Sequence, residues 1–442
     1  MKTLNPTTLL TRAVSVLVLF GCLHGPTAVA IPTIQHWQTD NGAQVYFVPT
    51  PDLPMVDVEV TFDAGSARDG DKAGLAMITN GLLSEGAGGH SADQIAEHFD
   101  NLGSELSYSV DRDMATVSLR SLTESQLLQP ALEMLAVLLA KPDFDDSSFE
   151  RVQQQMLTSL KYRQQSPDDI AESAFYSAVF GSHPYATLPE GTLETVTALT
   201  GDDVKTFHAR YYVAKNAQVA IVGALDRTVA EELASTLVSQ LPIGEAAPAL
   251  PPVAELSEAK TVHIDYPSTQ THILIGQPGM KRGDSDYFTL YVGNYILGGG
   301  GFVSRITDEV REKRGLAYSS YSYFFPLRVA GPFLTSLETR NEQSALALQV
   351  VRQTLQDFVE NGPTEEELKT AQLGITGSFP LRIMSNSKLI GYLSMIGFYR
   401  LPLCYLQNFN RNVDAVTLEM IKEAFKRRLQ LDKLITVTVG SH

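Results

Sequence analysis

A chain of 442 residues, 44% of them hydrophobic and 19% charged, is long enough to bury two or three separate cores. Its 34 basic against 50 acidic residues give a formal charge of −16, and no run of Lys or Arg offsets that field locally, so nucleic acid is excluded as a partner. Two cysteines, Cys22 and Cys404, cannot build a disulfide framework or a paired-thiolate metal site, and Cys404 reads as a small buried apolar residue.

In chain order, Lys2 and Arg12 precede an apolar stretch at 13–23 that is followed by Ala28-Val29-Ala30. This pattern predicts a signal peptide over residues 1–30, cut after Ala30, and an exported, periplasmic protein. The stretch is too short to span a bilayer, so no integral membrane segment is expected after cleavage. A rival pattern, Leu19-Phe20-Gly21-Cys22, would place a lipid on Cys22, but Phe beside the Gly is unusual there and Ala-Val-Ala is the better cleavage site.

The remainder reads as a repeat. An alternating strand, a Gly-containing turn and an apolar helix over 58–87 recur over 271–301 with an offset of 214 when Gly65 is set on Gly279. Acidic or hydroxyl-rich helix starts at 143–153 and 362–372 pair with an offset of 219, residue types that the positive helix end and its unpaired N–H groups favour. A closing strand, Gln-Val-Ala-Ile-Val-Gly at 218–223, matches Ile-Thr-Val-Thr-Val-Gly at 435–440 with an offset of 217. Between the copies, Pro242, Pro248, Pro251 and Pro252 predict an extended surface linker over 241–259, dividing a domain at 31–240 from one at 260–442. Strands with one buried face are expected at 56–62, 105–110, 114–119, 319–325 and 333–337, covered by helices at 127–140 and 345–359. The fold class is α+β, an antiparallel-rich sheet backed by helices and present twice.

Gly74-Leu75-Ala76, Ser182-His183-Pro184-Tyr185 and above all the run from Leu297 through Ser304-Arg305 and Arg311 to Gly315-Leu316-Ala317-Tyr318 resemble the pitrilysin/insulinase family of zinc metallopeptidases, which includes the mitochondrial processing peptidase. The resemblance implies two homologous metallopeptidase-like domains and, in the first, an inverted His-x-x-Glu-His motif after Gly-x-Ala. In such a motif two imidazoles one turn apart hold Zn²⁺ and the Glu takes a proton from the bound water. Here Met77 and Gly81 stand at the two His positions and Asn80 at the Glu, while Thr158 or Ser159 stands where the family has a third, Glu ligand. An amide cannot act as a base at neutral pH and Gly has no ligand atom, so no metal or cofactor is expected in this chain. Gln94-Ile-Ala-Glu97-His98 mimics the spacing but reads as a solvated helix face, and His208, His263 and His272 read as isolated and unpaired.

The resemblance assigns substrate binding to an Arg and a Tyr seven residues apart, met here by Arg311 and Tyr318. A guanidinium fork and a phenol O–H can bond a peptide carbonyl and the oxyanion derived from it. Gly298 to Gly301 lack the Lys-Ser/Thr of a phosphate loop and read as a flexible turn. Taken together, the expectation is a non-catalytic, substrate-binding subunit of a heterodimer whose zinc-bearing partner cuts peptides or unfolded polypeptides. The alternative is a structural or peptide-binding protein of the same fold with no proteolytic output.

Overall fold

The computed structural model describes residues 32–441. The expected signal peptide, its cleavage site and the rival lipidation of Cys22 lie outside the described residues. Strands β1 (Gln35–Gln38), β2 (Gln44–Pro49), β3 (Met55–Phe62), the short pair β4 (Gly86–Ala87) and β5 (His90–Ser91), then β6 (Glu105–Val110), β7 (Ala115–Leu122) and β8 (Ala217–Gly223) belong to the first half. Its sheet runs β1-β2-β8-β3-β7-β6, with β4 and β5 apart from it. The second half supplies β9 (Lys260–Asp265), β10 (Gln270–Pro278), β11 (Ala317–Phe324), β12 (Pro332–Arg340) and β13 (Ile435–Gly440), ordered β11-β12-β10-β13-β9.

Reversed, the second order matches the first strand for strand from β2 to β6, and among the described residues β1 has no counterpart. Each sheet has one parallel pair, β2 with β8 and β9 with β13, and is antiparallel elsewhere. The long helices Asp146–Arg163 and Glu365–Arg382 start at the predicted acidic segments, capped by the side chains of Asp145 and Thr364, which accept from the N–H groups of Ser148 and Glu367.

Edge strand β6 alternates between exposed and half-buried positions, whereas β8 is buried at nearly every residue. A strand buried on both faces needs cover on both. One face of the first sheet is covered by helices of its own half, among them Ser125–Ala140. The other is covered by Asn386–Phe398, a helix of the second half that lies on β2, β3 and β8. Reciprocally, Pro167–Phe180 of the first half lies on β10 and β13. The exchange rests on aromatic rings set against glycine: a Cβ on Gly397 would stand 2.6 Å from the ring of Tyr46, and one on Gly276 would stand 2.8 Å from that of Phe175. Thr61 and Ser394 share a hydrogen bond of 2.9 Å across the first of these contacts.

A buried carboxylate ties the halves further. Asp113 accepts from the Tyr185 hydroxyl at 2.5 Å, the Tyr399 hydroxyl at 2.9 Å and the Arg328 N–H at 2.7 Å. Asp63 beside it pairs with Arg68 at 2.7 Å and Arg328 at 3.1 Å. Residues 242–258 have no helix or strand, but they do not merely pass over the surface. Arg68 donates to Pro248 O at 2.7 Å, His183 bonds Pro251 O at 3.0 Å, and Leu250, Val253 and Leu256 pack against the second core. Cys404 corrects its expectation: it is exposed, because it sits in the turn that opens the helix Tyr405–Asp414 and takes no part in the core.

Candidate functional site

In the first half, Gly74 at φ +98° turns the chain into the seven-residue helix Leu75–Gly81, and Asp69 caps it by accepting the N–H groups of Gly74 and Ala76 at 2.8 Å each. Asn80, only 1% exposed, donates its amide to Ser109 O at 3.1 Å and Thr116 O at 3.3 Å and accepts from the Tyr212 hydroxyl at 3.1 Å. Every polar atom of the amide is thereby occupied in clamping the helix to β6, β7 and the end of the helix Gly201–Tyr211. Met77 and Gly81 are half-buried on the same helix. The atom nearest to a Cβ built on Gly81 is a methyl group of Val152, 3.9 Å away. Thr158 and Ser159 are exposed, and the Thr158 hydroxyl donates to Gln154 O at 2.8 Å within its own helix.

These residues do not fit zinc. A thioether is a soft ligand suited to other metals, the amide is saturated, and the remaining positions offer a hydrogen atom and hydroxyls facing solvent. The histidines are committed elsewhere: His98 to Pro130 O at 3.2 Å, His183 to Pro251 O at 3.0 Å, and His208 to Leu139 O at 2.9 Å. His263 and His272 also correct the expectation that they are unpaired: His263 Nδ1 lies 2.8 Å from the Thr438 hydroxyl, and His272 has two acidic neighbours. Its ring lies 3.5 Å from Asp168 and 3.4 Å from Glu338, the former carried in by the exchanged helix Pro167–Phe180. Among the described residues no group of three His, Cys, Asp or Glu side chains stands close enough to hold a metal ion.

The second half differs. Arg311 and Tyr318 line one cavity of 690 Å³, bounded by the helix Tyr287–Asn294, the glycine segment after it, and β11. The Arg311 guanidinium stands 4.7 Å from the ring centres of both Phe302 and Tyr318, within cation–π range. Tyr318 is 84% exposed, and its position has a local cause. The β11–β12 register shifts by one residue between Ala317 and Ser320, a bulge that carries Tyr318 out of the pleat. Beyond it, the buried Ser320 and Ser322 and the stacked Tyr321 and Tyr323, 5.9 Å apart, all line the cavity. Among the described residues β11 is an edge strand, paired with β12 alone.

Two wall elements depart from α-helical winding. Tyr295–Gly299 and Asp308–Glu312 are π-helical turns, a winding that recurs at functional sites. The glycine segment corrects its expectation as well. Only Gly301 has a positive φ, whereas a Cβ on Gly298 would lie 2.3 Å from Ser322 Oγ, so Gly298 is needed for close approach of helix to strand rather than for flexibility. Asn294 seals that approach by donating to Ser322 O at 2.9 Å and accepting from Ser322 Oγ at 2.7 Å. Sequence reasoning passed over Tyr287, Tyr291 and Tyr295 and the flanking Arg282 and Arg382, all on the cavity wall. The signal was present as tyrosines at helical spacings of four.

Two α+β halves around a shared buried interface, one with a clamped helix where a zinc motif would stand and one with an Arg/Tyr pair at a sheet edge, define a two-domain metallopeptidase-like architecture. Comparison with known proteins agrees: residues 45–192 match the family model "Insulinase (Peptidase family M16)", and residues 198–375 match "Peptidase M16 inactive domain". A crystal structure of a peptidase M16 inactive domain from Pseudomonas fluorescens is 39% identical, with a TM-score of 0.90 over 92% of this chain and 98% of that one. The non-peptidase homolog YmxG of Helicobacter pylori is 27% identical over 396 residues, which is 88% of this chain and 90% of the relative. A protease from Helicobacter pylori, 20% identical, shares the fold with a TM-score of 0.86 over 93% of this chain and 100% of its own. The chain belongs to the insulinase family, M16, and within it lacks the residues of the zinc motif.

Proposed function

We propose that this protein is the non-catalytic, substrate-binding subunit of an exported, heterodimeric zinc metallopeptidase, in which a homologous partner carries the metal and this chain presents Arg311 and Tyr318 to a peptide or unfolded polypeptide. The observation that carries this reading is the union of Arg311 and the 84% exposed Tyr318 at the bulge of an edge strand. An edge strand offers free backbone N–H and C=O groups to an extended peptide, and the Arg/Tyr pair beside it offers donors to a peptide carbonyl. The name of the Helicobacter relative, a non-peptidase homolog, supports the absence of proteolysis by this chain alone. To test it, the mature chain is mixed with an insulinase-family protein whose zinc motif is intact, and hydrolysis of a quenched fluorescent peptide is followed. Arg311→Ala and Tyr318→Phe are expected to lower turnover by the mixture by about a hundredfold and severalfold respectively. Unchanged turnover in both variants would reduce this chain to a structural or peptide-binding role.

A further inference from the structure

The cavity has a charge pattern at odds with the rest of the chain. The protein carries −16, yet the cavity walls contribute three guanidiniums, Arg282, Arg311 and Arg382, and no Asp or Glu. Several arginines that tie elements together here have carboxylate partners, as Arg68, Arg120, Arg163, Arg305 and Arg428 do, whereas Arg112, which has none among the described residues, is buried between Tyr185 O and the ring of Tyr176 rather than facing a cavity. Arg311 has Glu312 at 3.4 Å, but among the described residues neither Arg282 nor Arg382 has a carboxylate within ion-pair reach. Arg382 donates to the Tyr291 hydroxyl at 2.9 Å and Arg282 to the Tyr287 hydroxyl at 3.4 Å. Those two rings stack 6.0 Å apart and within 3° of parallel, so one guanidinium sits against each member of a single stacked pair. Nε of Arg282 is buried with no hydrogen-bond partner. A phenol accepts a hydrogen bond from a guanidinium but leaves its charge uncompensated.

Resting on the reading of this cavity as a peptide-binding site, we infer that it selects a peptide segment bearing a carboxylate, received between Arg282 and Arg382. Repulsion by the net charge opposes the approach of an anion, but in physiological salt it is screened beyond about 8 Å, whereas an anion inside the cavity touches guanidiniums whose forked N–H groups match both carboxylate oxygens. Local attraction therefore prevails. The carboxylate comes from an Asp or Glu side chain or from a peptide C-terminus, and the test separates the two.

Four peptides of one tyrosine-rich sequence, labelled with a neutral dye, carry Glu or Gln at one internal position and a free or amidated C-terminus. Their binding to the full mature chain is measured by fluorescence anisotropy. At least one carboxylate-bearing form is expected to bind about tenfold more tightly than the Gln amide, the Glu amide identifying a side chain and the free Gln form a terminus. The double variant Arg282→Gln/Arg382→Gln should lose that preference. If the double variant fails to fold, salt decides: raising ionic strength must weaken the preferred peptides of the native chain and spare the Gln amide. Equal affinities for all four peptides, or a preference surviving in the double variant, overturn this inference alone. Binding by none of them overturns the peptide-binding reading with it.

Discussion

The helix-to-strand junctions of the two halves share one device and diverge on either side of it. Asn80 and Asn294 are related by the repeat offset of 214, and each donates its amide to the strand beside it, Asn80 to Ser109 O and Asn294 to Ser322 O. One turn before and one residue after, the first half has Met77 and Gly81 where the second has Tyr291 and Tyr295. The first junction is backed by Val152, while the second opens into 690 Å³ lined by tyrosines and arginines. Docking a helix on a twisted strand requires the clamp, and the flanking positions decide whether the junction holds a ligand. The residue standing in for a catalytic base in the first half is thus a structural member of the same kind as its counterpart in the second.

The largest effect should come from the clamps themselves. Asn80→Asp places a carboxylate against the carbonyls of Ser109 and Thr116 in a buried site and is expected to cost about 3–5 kcal/mol, with Asn294→Asp costing a similar amount. Urea denaturation measures both, and costs differing by more than about 2 kcal/mol would break the equivalence of the two junctions.

Acid should tell the halves apart. Burial pushes His208 down to about 4, and the residue at its repeat position is Phe425, which cannot titrate. The unfolded chain takes up this proton from about pH 6.5 downward and the folded chain not until about pH 4, so the stability contributed above pH 6.5 is lost as pH falls through that window, by up to about 3 kcal/mol. His208→Gln, which can still donate to Leu139 O, should flatten that limb when urea midpoints are compared at pH 7 and 4.5. An unchanged limb would assign the acid sensitivity to other groups.

Glycine substitutions should give opposite signs. Gly298→Ala forces a methyl group to 2.3 Å from Ser322 Oγ and 2.5 Å from the Ser322 backbone nitrogen, at an expected cost of about 2 kcal/mol. Gly81→Ala meets no atom closer than 3.9 Å in a right-handed helical conformation and should stabilise by about 0.5 kcal/mol. Two thermal melts check the pair, and a destabilised Gly81→Ala would mean that the first junction is closed more tightly than its geometry shows.

The repeat was legible because strand alternation, helix caps and closing strands are local patterns that recur at near-constant spacing. The Arg311/Tyr318 pair came from a family resemblance carried by one local segment, and the structure brings the two side chains together on one cavity wall. What stayed hidden is what depends on distant partners. An apolar stripe on Asn386–Phe398 says that a face is buried, not that the sheet covering it belongs to the other half. His272 meets Asp168 only through the exchanged helix, and the pairing of Arg282 and Arg382 with phenols rather than carboxylates depends on three separate elements meeting at one wall. The exposure of Cys404 follows from a turn whose geometry no composition rule encodes.

The first sheet is complete in strands at Gly223, yet the helix that covers its second face begins at Asn386, 163 residues later. A chain emerging N-terminus first carries a bare apolar surface through that interval, while Pro167–Phe180, already made, waits for β13 at the far end. A cut between residues 223 and 386 that let the pieces part would leave two fragments, each with an orphaned helix and an uncovered sheet. Such long sequence separations slow folding and prolong exposure to aggregation. Helix exchange makes the molecule a clasp that shuts only when its last strand arrives.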